Sequence, residues 1–271
     1  MKREACMAVK WTILGLAIYA AMGLYLAAAI MLLVRVRRLG MVLYGAGCAV
    51  VAAGWAYRWA EAGHVPLQNM FEVFLTLGML LLPMTLLCRR LLGVGGEAAD
   101  AVIGVVVLFP AGLVFSAEPK VLPPALQCWL FIPHVAAYML AYVVMAKAAA
   151  PALAQLLGFA APREAGLVGA EVATYRMVSL GFPLLTLGLV LGAVWGKIAW
   201  GDYWNWDPKE LWSLISWLVY LAYLHWRHMH GAKYPRTNSA LVLLGLAAIV
   251  LTLLWVNLAR IFGGGLHSYA S

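Results

Sequence analysis

The apolar residues of this chain come in long runs. Eight such runs occupy residues 11–34, 41–60, 70–88, 101–117, 125–147, 179–199, 209–227 and 238–259. About 20 apolar residues of α-helix cross the hydrocarbon core of a bilayer, and most of the runs reach that length. The fourth is short and contains Pro110, which makes it the weakest span. The period-two alternation of a membrane barrel is missing, and open sheet edges do not sit in hydrocarbon. The pattern therefore predicts an all-α polytopic membrane protein: a bundle of about eight transmembrane helices forming a single integral-membrane domain over residues 1–271. No sequence repeat is visible. The first run is too long for a signal-peptide core and no small-residue cleavage site follows it, so it reads as a retained first helix.

Composition agrees with this class. Of the 271 residues, 65% are hydrophobic and 11% charged, against roughly 25% charged in a soluble domain. That excludes an ordinary soluble enzyme. The net charge of +8 gains meaning from its position in the loops. With both termini outside, Arg35, Arg37, Arg38, Arg89, Arg90 and Arg227 fall inside with Lys147, Arg163, Arg176, Lys233 and Arg236, leaving seven net positive charges inside and one outside. This bias is the positive-inside pattern and points to no nucleic acid. Lys2, Arg3 and Lys10 would lie outside, against the trend. The four cysteines, Cys6, Cys48, Cys88 and Cys128, form no Cys-x-x-Cys. Cys48 and Cys88 lie in or at the end of apolar runs, where a cysteine acts as a small hydrophobe.

The twelve tryptophans are unevenly placed. Trp195, Trp200, Trp204, Trp206 and Trp212 fall with Tyr203 in the segment 195–212, the predicted outer loop between the sixth and seventh helices. One reading is structural. Asp207 suits an N-cap, Pro208 the first helical position, and Glu210 completes a capping box; aromatic residues also gather at membrane interfaces. The other reading is a platform for a large flat apolar ligand. Trp200, Trp204 and Trp206 would line the loop beside Gly201, with polar edges from Lys197, Asp202, Asn205 and Lys209. A belt needs one or two rings per helix end, and this segment holds six.

Residues 200–215 read WGDYWNWDPKELWSLI. This string resembles the tryptophan-rich WWD signature of the haem-handling proteins of cytochrome c biogenesis, and its Asp-Pro-Lys-Glu ending resembles the CcsA (ResC) branch of System II. Weaker matches occur in the family's order. They are Arg58-Trp59, then Pro66, Asn69, Phe71 and Glu72 (with Phe71 where Tyr is usual), His134-Val135, Tyr223 with His225, and His267 with Tyr269.

The resemblance implies that haem b is the transported substrate. It implies a haem-handling core over residues 125–271, with the WWD loop at 195–212. His134 and His267 match the two outer histidines that bind haem iron, and His225 matches the transmembrane histidine of an inner haem site. Neutral imidazole is an ordinary ligand for haem iron. In the family a CcsB (ResB) membrane subunit supplies the second inner histidine, and an apocytochrome c Cys-x-x-Cys-His accepts the haem as thioethers. The chain is thus expected to be part of a holocytochrome c synthase (haem lyase), acting by positioning, with no nucleophile of its own. Its expected home is the bacterial inner membrane or the thylakoid membrane, with the loop and C-terminus on the outer (periplasmic) side. A separate thiol-reducing pathway would serve the substrate.

The other polar residues divide between two readings. Arg58, at the end of the second helix, either snorkels or pairs with a haem propionate. Glu72 suits a helix start. His64, His228 and His230 read as structural or solvated. Two alternatives to synthesis are a haem exporter or chaperone of the CcmC or HemX type, and a b-type electron-transfer protein.

Overall fold

The computed structural model describes residues 9–159 and 166–255. Each apolar run becomes a helix: α1 Ile13–Leu33, α2 Arg37–Ala62, α3 Met70–Leu92, α4 Glu97–Leu113, α5 Phe131–Leu156, α6 Ala170–Trp200, α7 Pro208–His230 and α8 Pro235–Val250, the last continued by a π turn over Leu251–Trp255. There is no strand among the described residues. α1, α2, α3, α5, α6 and α8 taken with its π turn, over Pro235–Leu254, are long and apolar enough to cross a membrane. α4 has 17 residues, and α7 bears Lys209 and Glu210 at one end and Arg227, His228 and His230 at the other. The protein is a polytopic helical membrane protein. Pro83, Pro110, Pro151 and Pro183 lie inside helices, which membrane helices tolerate because neighbours re-satisfy the freed carbonyls.

The chain forms two compact units, Met1–Leu86 with Gly96–Leu122, and Leu87–Gly95 with Pro123–Ser271. In the first, α1 packs on α2 and α4. Its pivot is Tyr25, fully buried. The ring lies where a Cβ on Gly47 or Gly104 would come within 2.6 or 2.5 Å, meets Tyr44 edge-on at 5.1 Å, and donates its hydroxyl to the Gly78 carbonyl at 3.0 Å. Small residues let helices approach this closely without a hydrophobic drive from water.

A buried ion pair closes the loop end of this unit. Arg58 and Glu72 are both fully buried and meet at 2.9 Å. Arg58 also donates to Glu61 at 3.1 Å and to the Ala117 and Glu118 carbonyls at 2.6 and 3.1 Å, and lies over the Phe71 ring at 5.6 Å. Glu72 accepts from the Gln68 N–H at 2.8 Å, while the Asn69 side chain caps α3 by accepting from the Glu72 N–H at 3.0 Å. The stretch Pro66–Glu72 is thus folded around one guanidinium. Arg58 does not snorkel: its donors are spent on protein acceptors, and Glu72 does more than complement a helix dipole.

The second unit is built on α5 and α6, which run antiparallel along a stripe of glycines. A Cβ on Gly181 would meet Met145 at 2.9 Å, one on Gly188 the Tyr138 ring at 3.0 Å, and one on Gly192 the His134 ring at 2.6 Å. As the index rises along α6 it falls one for one along α5, so one register holds over three turns. α7 and α8 complete the bundle. Trp217 stacks on Phe182 at 5.4 Å and donates to the Thr186 hydroxyl at 2.9 Å, and the Tyr220 ring covers Gly245. At the far end Glu171 joins three helices, pairing with Arg227 at 2.8 Å and accepting from Asn238 at 2.8 Å and Gln155 at 3.3 Å.

Removing one partner of a buried ion pair costs about 3–5 kcal/mol, because the other charge stays buried. Arg58→Ala is accordingly expected to destabilise the protein on that scale, measured by thermal unfolding in detergent micelles. Replacing Arg58 and Glu72 together by Met should regain part of the loss.

Candidate functional site

His134 lies one turn into α5, half-buried against α6. Its Nδ1 sits 2.8 Å from the Gly188 carbonyl oxygen. A carbonyl only accepts, so Nδ1 carries the proton and the basic lone pair belongs to Nε2. The ring is held on other sides too. Trp195 stacks on it at 5.7 Å and 17°, Tyr138 meets it edge-on at 5.2 Å, and Gly192 leaves room that a methyl group would fill. Gly188, Gly192 and Trp195 are three and four residues apart, which places them on one face of α6.

Trp195 is only 2% exposed. Its indole N–H donates to the Ala125 carbonyl at 3.0 Å, its ring touches Phe131 at 6.4 Å, and Trp200 packs edge-on against it at 4.7 Å. Trp195 is therefore the wall behind His134. Trp200, expected on the loop, is the last residue of α6, which Gly201 ends in a left-handed cap with φ 92°. That conformation favours glycine. The loop proper covers residues 201–207.

Within it, Trp204 and Trp206 meet edge-on at 5.9 Å. The Trp204 indole nitrogen is buried, with no hydrogen-bond partner among the described residues. A buried indole N–H of this kind needs an acceptor. Tyr203 and Trp206 are exposed, Trp206 by 69%, and Lys197 lies over the Tyr203 ring at 5.5 Å while donating to the Gly201 carbonyl. Asp202 is exposed and Trp212 half-buried on α7. Trp206 has φ 57°, a left-handed backbone that costs a bulky residue roughly 1–2 kcal/mol. The capping box read from the spacing forms. Asp207 accepts from the Lys209 N–H at 2.9 Å, and Glu210 accepts from the Asp207 N–H at 3.2 Å, with Pro208 at the first helical position.

His225 lies 17 residues after Pro208, about 26 Å along α7 at 1.5 Å per residue. It is exposed, while Tyr223 faces the core and Arg227 faces Glu171. His267 falls outside the described residues. His64 joins two loop carbonyls of the first unit, at Val65 and Lys120, and His230 stacks on Trp226 at 3.9 Å. No cluster of three His, Cys, Asp or Glu able to hold a metal ion occurs among the described residues. A haem ligand set needs no such cluster, since the porphyrin supplies four donors itself. Sequence reasoning passed over Trp129, 76% exposed just before α5, and the partners Gly188 and Gly192. The glycine recurrence along the sixth helix was the available signal for the last two.

A helical membrane protein with an aromatic-walled histidine and a tryptophan-rich cap on the next helix defines a narrow class. The family model described as cytochrome C assembly protein matches residues 16–262. The chain belongs to that family, in its CcsA branch. It is 32% identical to the cytochrome c biogenesis protein CcsA of Synechococcus elongatus, over 81% of this chain and 83% of that protein. It is 33% identical to CcsA of Guillardia theta, over 82% of each. Among solved structures, the cytochrome c heme lyase CcmF superposes with a TM-score of 0.70 at 21% identity, covering 93% of this chain. The chain spans about half of that structure, 48% of its length; the likeness is one of fold. The protein is a cytochrome c biogenesis protein.

Lys209 lies in the first turn of α7, at the loop end of a helix that is not among the six long and apolar enough to cross a membrane. Burial lowers its ammonium to about 8, against the opposing pull of Asp207. The folded state then binds fewer protons than the unfolded state between about pH 8 and the ordinary lysine value, so stability rises with pH in that window. The unfolding temperature of the wild type relative to Lys209→Gln is expected to climb between pH 7.5 and 9.5; a flat difference would contradict this environment for Lys209.

Proposed function

We propose that this chain holds haem b on the outer side of the membrane and promotes its thioether attachment to the Cys-x-x-Cys-His of an apocytochrome c, acting as the haem-handling part of a holocytochrome c synthase with a CcsB-type subunit. The observation that carries this reading is the bond from His134 Nδ1 to the Gly188 carbonyl. It fixes the tautomer in which Nε2 is the ligating atom, as second-shell acceptors do for metal-bound histidines. His267 serves as the opposite ligand. Trp200, Tyr203, Trp204 and Trp206 form the platform, and the Trp204 indole N–H offers a donor to the edge of the substrate. Arg58, bonded to Glu72 and to the Ala117 and Glu118 carbonyls, supports the first unit's loops.

In this reading His225 belongs to an inner site. Exposure of a histidine on a membrane helix is costly unless something covers it, which fits completion of that site by the partner subunit. The haem reaches the outer site with its vinyl groups held for attack by the substrate thiols. Rigid placement of reacting groups supplies much of such a rate. The chain contributes position and the substrate contributes the sulfur nucleophiles. One ligand must yield to the substrate histidine, and His267, which follows Gly263, Gly264 and Gly265, is the one released.

The protein is to be purified with a CcsB-type partner and its haem content and spectrum recorded. His134→Gly and His267→Gly are each expected to lose the bis-histidine bands of the outer site, and His225→Gly to lower total haem. Gly192→Ala, whose methyl would stand 2.6 Å from the His134 ring, is expected to lower outer-site haem with the helices intact by circular dichroism. Unchanged haem content and bands in both His134→Gly and His267→Gly would refute the outer site. Haem release without thioether formation on a reduced Cys-x-x-Cys-His substrate would make the chain an exporter.

A further inference from the structure

The backbone of residues 205–207 wraps around one oxygen of Glu210. The Asn205 N–H donates to Glu210 Oε2 at 2.8 Å, and the Asp207 N–H donates to the same oxygen at 3.2 Å. Between these two donors stands Trp206, with φ 57°. Successive N–H groups arranged around a left-handed residue form a concavity that binds anions. Here the chain supplies the anion itself. A capping box needs only the Asp207 bond; the Asn205 bond reaches past the cap and across the strained residue.

Burial does not keep Trp206 in this conformation, because its side chain is 69% exposed. Relaxing φ to the ordinary region would relieve strain without uncovering a buried ring. Strained backbone persists only where the surroundings over-determine it, and the Glu210 carboxylate binds both peptides that flank the strained residue. Asp207, 6% exposed, fixes the downstream side through its bond from the Lys209 N–H.

We propose that Glu210 is a positioning residue: by binding the Asn205 and Asp207 N–H groups it holds Trp206 left-handed and turns the indole out of the loop, as a contact for a flat aromatic substrate. The substrate contact rests on the function proposed above; the positioning does not.

The test uses the full-length protein in detergent micelles. Hydroxyl-radical footprinting with mass spectrometry reads oxidation of Trp206 in the wild type, Glu210→Ala and Glu210→Gln. Thermal unfolding is measured for the same variants with Trp or Gly at position 206. Oxidation of Trp206 is expected to fall severalfold in Glu210→Ala and to stay nearer wild type in Glu210→Gln, whose amide oxygen still accepts both N–H groups. Glycine adopts φ 57° without strain, so Trp206→Gly should raise the unfolding temperature and enlarge the drop caused by Glu210→Ala, because only the tryptophan loop recovers strain when Glu210 lets go. If Glu210→Ala does not accumulate, Glu210→Ser, whose short side chain cannot reach both N–H groups, gives the same comparison with the same signs. Equal Trp206 oxidation, or an equal drop in both backgrounds, would leave Glu210 as an ordinary cap and overturn the proposal. Haem retention on the same preparations separates the two layers. Altered Trp206 with unaltered retention overturns the substrate contact alone.

Discussion

Close contact between α5 and α6 is the constraint on which the second unit depends. Gly181, Gly188 and Gly192 leave grooves in α6, and Met145, Tyr138 and His134 of α5 fill them in a single register. That register brings His134 Nδ1 to the Gly188 carbonyl and lays the ring against Trp195. A shift by one residue along either helix would turn the imidazole away from both. The seam that packs the helices is therefore also the device that sets the tautomer, and an apolar packing rule of membrane helices becomes chemistry at one nitrogen.

From the same seam the aromatic wall runs into the loop. Trp195 and Trp200 belong to the last turns of α6, and Gly201 stops the helix so that residues 201–207 can double back to α7. The loop has a strained residue at Trp206 and a dense set of bonds to the start of α7. Its order comes from those polar bonds more than from burial, since Tyr203 and Trp206 are exposed. Exposed rings on a well-bonded loop suit contact with a flat partner, and a conformation fixed beforehand loses less entropy on binding.

Much of this was legible in the chain. The apolar runs located every helix, with shifts at the ends. Residues 125–130 turned out to precede α5 because Pro123 and Pro124 favour a short 3-10 turn there, and the sixth helix begins at Ala170, nine residues before its apolar run. Asp207, Pro208 and Glu210 announced their capping box, because caps depend on residues close in sequence. Arg58 was less legible. Whether an arginine at a helix end snorkels or is buried depends on Glu72, Ala117 and Glu118 arriving from later segments, and local pattern carries no record of that. The pairing of His134 with Gly188 is similar, since a carbonyl 54 residues away has no signature of its own. Trp195 looked like one more platform ring, and only packing shows it as a buried wall.

The central claim is that His134 presents Nε2 to the iron of a bound haem. The most direct measurement is rescue by free imidazole. The His134→Gly protein, purified with its partner subunit, is titrated with imidazole while the haem absorption bands are followed. Gly192 and the Trp195 wall should leave a ring-shaped space beside the iron, so imidazole should restore the bis-nitrogen bands of the wild type. Bands that are already wild-type before imidazole is added, or that do not respond to it although haem is present, would contradict the account.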